Sequence, residues 1–167
     1  YISESNKCKE RKIFVNVERK QLFDERFCCE AEAIIRRINA LNTQIVLEVT
    51  ERGEADLSDW KLFREIKKRY DFELAADDVK NVKDVRKLEI DFGVYDYVKM
   101  EPFFLEGSAA YSRETTVDTI NWMFNLIHNF GLKFIAEMIE SKEILEEAKK
   151  YPFSHFQGYY FKSESIK

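Results

Sequence analysis

The chain has 167 residues, 45% hydrophobic and 35% charged, with two prolines and five glycines; this suits one domain folding on hydrophobic burial and excludes a long disordered or low-complexity segment. Its 31 acidic and 27 basic residues leave a net charge of -4 and are interspersed, so no basic stripe marks a duplex nucleic-acid partner. The apolar runs fall far short of the roughly 20 residues that cross a bilayer, and the opening YISESNKCKER lacks a signal-peptide core, so a soluble, cytoplasmic chain is expected.

In chain order, KIFVNV reads as a first strand, and Phe27, Ala31, Ile34, Ile35, Ile38 and Leu41 mark a helical stripe after it. QIVLEV is the second strand, followed by a helix on Leu57, Trp60, Phe63, Ile66 and Tyr70. FELAA is the third, with a shorter helix suggested by Val82, Val85 and Leu88. After YDYVKM comes a long helix on Val117, Ile120, Phe124, Ile127 and Phe130, ended by Gly131. LKFIAEM leads into SKEILEEAKKY, with Ser141 as N-cap, and FQGYYF is the sixth strand. The first, second and fifth runs are nearly continuously apolar, as in a parallel sheet covered on both faces. Such βα alternation gives an open doubly wound sheet or a closed barrel, and the lack of a Gly-rich loop after the first strand weakens the dinucleotide-binding alternative.

Nearly every candidate strand ends in a group able to bind metal or move a proton: Asn16, Glu48, Asp77 with Asp78, Lys99, Glu137, and Gln157 within the last. In a parallel barrel the strand C-termini share one rim, so these side chains would converge there. Oxygen donors without histidine or thiolate favour Mg²⁺, Mn²⁺ or Ca²⁺. Adjacent carboxylates can flank two cations about 3.5 to 4 Å apart, the arrangement used for in-line displacement at phosphorus, with a lysine beside them to orient the attacking water.

Taken singly, each has a plainer reading. Asp77 and Asp78 would cap the next helix, Glu48 would be an exposed strand glutamate and Glu51 a helix start. Lys99 and Glu101 would be a solvated strand end, Asn16 and Gln157 turn residues, and Glu137 and Glu140 acids at a helix N-terminus. Six polar strand ends in succession favour the joint reading. His128 and His155 have no suitable partner nearby and read as structural; Cys8, Cys28 and Cys29 form no metal-ligand spacing and read as reduced thiols.

The order of these residues resembles the EAL-domain family, bacterial phosphodiesterases that linearise cyclic di-GMP in a βα barrel using two divalent cations. FVNVERKQL is similar to the family's V-N-L-S strand, VLEVTER to L-E-I-T-E, AADDV to D-D-F-G, YVKMEPFF to L-K-I-D, IAEMIESKE to A-E-G-V-E-T, and FQGYYF to the terminal Q-G-Y. The resemblance, over residues 13 to 161, implies an α/β fold, a (βα)8 TIM-like barrel of EAL type present in part, with about six βα units in one domain spanning 1–167. It also implies that Asn16, Glu48 and Asp77 hold one cation, Mg²⁺ or Mn²⁺, and that Asp77 bridges to a second held by Asp78. Lys99 and Glu137 would contact the attacking water, Gln157 would act near it, Glu51 would anchor the loop after the aspartates, and Glu140 would support the rim. The implied partners are cyclic di-GMP, a second copy pairing beside the aspartate loop, and further signalling domains fused to the chain.

The departures are specific. The Glu-Ala-Leu segment that names the family belongs upstream of Asn16, where only fifteen residues stand, and the first residue is Tyr1 rather than Met, so the N-terminal part of the barrel is expected outside this chain. DDVKNV lacks both glycines of D-D-F-G-T-G, Met138 stands for a family glycine, and Glu101 for its aspartate. Two functions follow: a cyclic di-GMP phosphodiesterase whose isolated chain is nearly inactive, or a degenerate member acting as a nucleotide sensor or protein-interaction module. An unrelated metal-dependent barrel hydrolase is the third.

Overall fold

The computed structural model describes residues 11–40, 43–50, 60–70, 72–102 and 113–161. Strand β1 (Arg11–Glu18) runs through a 3-10 turn (Arg19–Phe23) into helix α1 (Glu25–Asn39), followed by β2 (Thr43–Thr50) and α2 (Trp60–Arg69). Next come β3 (Glu73–Val79), α3 (Lys87–Asp91), β4 (Tyr97–Met100) and α4 (Arg113–Phe130), then β5 (Lys133–Ala136), α5 (Lys142–Ala148) and β6 (His155–Phe156). All the described strands are parallel and pair in sequence order, β1-β2-β3-β4-β5-β6, as one open sheet of six strands with a helix after each of the first five. No helix among the described residues is long and apolar enough to cross a membrane.

Local chemistry sets the helix ends. The Asp24 carboxylate accepts from the N–H groups of Arg26 at 2.9 Å and Phe27 at 3.4 Å, opening α1. Ser141 Oγ accepts from Ile144 N at 3.2 Å, opening α5 at the expected residue. Gly131, at φ 65°, closes α4 in the left-handed conformation that glycine adopts without steric cost.

Strand alternation gives the sheet two different faces. Val17, Leu47, Val49, Leu74, Val98 and Phe134 face outward into the main core, where they meet Cys28, Ile35, Phe63, Met123 and Leu126 of the helices. Fully burying a side chain such as Phe63 or Phe134 contributes about 1.5–3 kcal/mol. The inner face holds a smaller cluster of Phe14, Val46, Ala75, Tyr97 and Ile135, and Phe14 meets the Tyr97 ring edge-on at 5.6 Å. On β1 the outer face is uncovered toward the N-terminal end, with Ile13 and Val15 47% and 40% exposed, while Val17 farther along is buried.

Several elements differ from the periodicity. Helix α4 buries Thr115, Thr119, Trp122, Met123 and Leu126, while Val117, Phe124 and Phe130 of the expected stripe are exposed. This helix is apolar on more than one side, and the Thr119 hydroxyl donates to the Thr115 carbonyl at 2.7 Å, so Thr119 packs inward as a satisfied polar group. Helix α3 starts at Lys87, after a turned segment, and buries Glu89 and Ile90 rather than Val85 and Leu88. Ile34 of the α1 stripe is also exposed. FQGYYF forms strand over residue 156 only, and β6 ends before Gln157. Cys8, Leu41, Glu51 and Leu57 lie outside the described residues.

One buried polar network ties the turn after β1 to α3. Arg19 pairs with the fully buried Glu89, and its guanidinium lies 5.3 Å from the Phe63 ring centre. The Tyr95 hydroxyl donates to Glu89 Oε2 at 2.8 Å. Burial, then the Glu89 charge, pushes the Tyr95 phenol well above its ordinary value. As pH rises past about 10, the unfolded chain loses this proton while the folded one keeps it, so stability falls by up to about 1.4 kcal/mol per pH unit. Urea unfolding between pH 8 and 11 should therefore show a steeper alkaline loss for the wild type than for Tyr95→Phe; parallel curves would refute the assignment.

Candidate active site at the C-terminal rim

The paired aspartates lie inside a strand, not after it. Ala76 pairs with Val98 and Val79 with Met100, so Asp77 and Asp78 together oppose Lys99 alone. This is a β-bulge, and Asp78 takes up the extra residue at φ 52°, a left-handed conformation that aspartate tolerates better than most residues. Simple alternation would send the two carboxylates to opposite faces. With the bulge, Asp77, Asp78 and Glu137 each place a carboxylate oxygen within 4.8 Å of the others. The next helix begins with Arg86 at its N-cap, so neither aspartate caps it.

At the centre is Lys99, 3% exposed. Its Nζ donates to Glu48 Oε1 at 2.8 Å and Asp77 Oδ1 at 2.9 Å, and lies 2.8 Å from Glu137 Oε1. Burial opposes the ammonium charge, but the hydrogen bonds with Glu137, Glu48 and Asp77 outweigh it and raise its pKa. Burial raises the pKa of Glu48 and of Glu137, and Lys99 offsets part of each rise. Among the described residues, Glu137 Oε2 and Thr50 Oγ1 on β2 are buried and meet no hydrogen-bond partner.

Two hollows open on this rim and share Asp78. One, of about 780 Å³, is lined by Asp78, Glu137, Met138, Glu140, Gln157 and Tyr159, among others. The other, of about 500 Å³, is lined by Asn16, Glu18, Gln21, Thr50, Asp77 and Asp78. Asn16 is in register with Glu48 on the neighbouring strand. The loops after β5 and β6 are laced together: Gln157 N donates to the Ala136 carbonyl at 2.8 Å, and Ile139 N to the Gln157 carbonyl at 3.0 Å.

Of the nine residues singled out from sequence, Glu51 lies outside the described residues and the other eight share this end of the sheet. Glu48, Asp77, Lys99 and Glu137 form one contact cluster with Asp78 against it, Asn16 lines one hollow, and Glu140 and Gln157 line the other. Sequence reasoning passed over Thr50, Tyr159 and Phe161; Thr50 stands two residues beyond Glu48 in the same strand, the period that keeps a side chain on one face. His155 meets Ser154 through Nδ1 at 2.8 Å, and burial, then Lys133 and Lys12, lowers its pKa. Cys28 is buried and donates to the Leu22 carbonyl at 3.2 Å.

A family model for the EAL domain matches residues 2–164. The chain belongs to the EAL-domain family. Among solved structures, this EAL chain is similar to an EAL domain protein from Listeria monocytogenes EGD-e, with TM-score 0.61 and 21% identity over 91% of this chain and 60% of that one. It is similar to the Bacillus subtilis YkuI protein, which has an EAL domain and was solved in complex with substrate c-di-GMP and calcium, with TM-score 0.63 and 20% identity over 92% of this chain and 38% of that one. It is also similar to the FimX EAL domain from Pseudomonas aeruginosa bound to c-di-GMP, with TM-score 0.64 and 14% identity over 91% and 62%. The fold is thus a partial (βα)8 TIM-like barrel of EAL type, and the chain spans less than two thirds of each of these structures. Comparison with curated proteins gives no match.

Removing the central cation leaves carboxylates buried together without compensation. In metal-free buffer at pH 7, Lys99→Met should cost about 3 kcal/mol or more. Part of that loss should return as pH is lowered toward about 5, because Glu48 and Glu137 have raised pKa values and the folded state then binds more protons than the unfolded one. Chemical unfolding of the variant at both pH values tests this; equal destabilisation at both would exclude the carboxylate cluster as the cause.

Proposed function

We propose that this chain forms six strands of the barrel of a cyclic di-GMP phosphodiesterase, and that the barrel wall between β6 and β1 is supplied from outside these six strands. The observation that carries the reading is the set of four carboxylates, Glu48, Asp77, Asp78 and Glu137, gathered around one buried lysine. An all-oxygen donor set suits hard divalent cations, and the unpartnered oxygens of Glu137 and Thr50 leave acceptor capacity beside both hollows. Asn16, Glu48 and Asp77 would hold one Mg²⁺ or Mn²⁺, and Asp77 with Asp78 a second. Bound there, such cations supply Lewis-acid polarisation of a phosphoryl oxygen and a lowered pKa for water.

The chain's own groups do the rest. Lys99 stays protonated and would turn one of its three N–H groups, held here by Glu48, Asp77 and Glu137, to the attacking water to fix its position. Glu137, its basicity increased by burial, accepts a proton from that water as its oxygen attacks phosphorus. One P–O3′ bond breaks, the proton ends on the freed 3′ hydroxyl, and the product is the linear dinucleotide pGpG. Gln157 contributes an amide beside the water, Glu140 supports the same wall, and Glu51 anchors the loop after the aspartates.

A second reading, a degenerate member acting as a nucleotide sensor or interaction module, is favoured by Lys80 and Val82, which stand after the aspartates where two glycines would give a looser loop. Incubating the full-length protein with cyclic di-GMP and Mn²⁺ and separating the products decides between them. The phosphodiesterase reading expects pGpG, and a loss of rate of about a hundredfold or more in Glu48→Ala. Retention of cyclic di-GMP without cleavage supports the sensor, and neither binding nor cleavage overturns the phosphodiesterase and sensor readings and favours the interaction module.

A further inference from the structure

The loop after β5 carries a strained residue that the chemistry above leaves unused. Met138 has φ 52°, in the left-handed region that residues with a Cβ avoid. The neighbouring backbone imposes this turn. Ile139 N donates to the Gln157 carbonyl at 3.0 Å, and the Ile139 carbonyl accepts from Tyr160 N at 2.9 Å. Gly158 is packed so closely that a Cβ on it would lie 2.2 Å from Ile139 N. Glycine at position 138 would make the same turn without strain. Burial does not compensate for methionine there, because Met138 is 54% exposed.

The Met138 side chain instead lines the hollow of about 780 Å³ that Asp78 and Glu137 also line. Tyr159 and Phe161, 93% and 41% exposed, line it too. An exposed apolar group beside two exposed rings is informative in a way that a lone one is not. A thioether is flexible and polarizable and packs favourably against aromatic faces, and aromatic side chains stack nucleobases. Strain held at the wall of a cavity is the kind that persists where a ligand uses it. We propose that Met138 is a specificity-determining contact which, with Tyr159 and Phe161, forms an apolar wall for one purine ring of a cyclic dinucleotide whose phosphate lies at the Asp78–Glu137 end of the hollow. This rests on reading the site as one for a cyclic dinucleotide held with divalent cations.

The test uses the full-length protein and three measurements: thermal unfolding, Mn²⁺ binding by electron paramagnetic resonance, and cyclic di-GMP binding by equilibrium dialysis in calcium. Met138→Gly should raise the Tm by about 2–4 °C through relief of strain. It should leave Mn²⁺ affinity unchanged and weaken cyclic di-GMP binding about fivefold or more, the loss expected when a base loses an apolar contact surface. Met138→Leu should keep the affinity within about twofold. Equal or tighter binding by the glycine variant, with a wild type that binds, overturns the role of Met138 and leaves the site assignment standing. A wild type that does not bind cyclic di-GMP overturns both.

Discussion

An ammonium group as buried as that of Lys99 is tolerable only because carboxylates reach it from three other segments of the chain. Taking an ion of this size out of water costs several kcal/mol even after relaxation, and a lone buried lysine would surrender its proton. Glu48 on β2, Asp77 on β3 and Glu137 after β5 each supply an oxygen within 2.9 Å, and the lysine keeps its charge. The same interaction constrains the sheet. Side chains alternate along a strand, so slipping β2 by one residue would move Glu48 to the helix-covered face, bury it against hydrocarbon and leave Lys99 short of a partner. Strand register and site chemistry therefore specify each other.

That coupling explains which parts of the structure could be read from the sequence. Strands β1, β2 and β5 are legible because their apolar runs are nearly continuous, and the gathering of Asn16, Glu48, Lys99 and Glu137 follows once the strands are parallel, since C-terminal ends then share a rim. The bulge is not legible. That Asp77 and Asp78 face Lys99 together depends on how Ala76 and Val79 pair with β4, a contact between segments more than twenty residues apart. The buried face of α4 was hidden for a related reason. Its apolar residues lie on more than one side, and Thr115 and Thr119 pack inward because a threonine hydroxyl can be satisfied by the helix's own carbonyls, so hydrophobicity alone points to the wrong face. In α3, Glu89 is buried because Arg19 and Tyr95 meet it from distant segments, which no local pattern records.

The concave face is organised in layers along the strands. At the N-terminal end, Lys12 and Lys133 lie 5.3 and 5.1 Å from the centre of the Tyr97 ring, with Glu73 as the acid paired to Lys12. Above them the apolar side chains of Phe14, Val46, Ala75 and Ile135 fill the middle. The carboxylates occupy the C-terminal rim. Cations and acids are thus separated by hydrocarbon, so the lower lysines do little to neutralise the upper carboxylates, and Lys99 is the lysine that meets them directly.

The cluster at the rim consequently carries an unbalanced formal charge, four carboxylates against one ammonium. As it stands, such a surface repels a phosphodiester. Divalent cations held there, as the proposed function requires, would reverse that relation, since they would satisfy carboxylate oxygens that Lys99 does not meet and present positive charge to a phosphate. On that reading ligand and cation would be coupled by electrostatics: each cation bound would remove repulsion the phosphate otherwise meets, and each phosphate bound would strengthen the hold on the cation. The apolar wall of Met138, Tyr159 and Phe161 stands outside this exchange, because contact with a ring gains little from charge. If the hollow takes a cyclic dinucleotide as proposed, the position of this wall beside Asp78 and Glu137 would set it two independent requirements, an anion that a cation can bridge and a flat apolar surface offset from it, and a ligand that met only one would leave half the site unfilled.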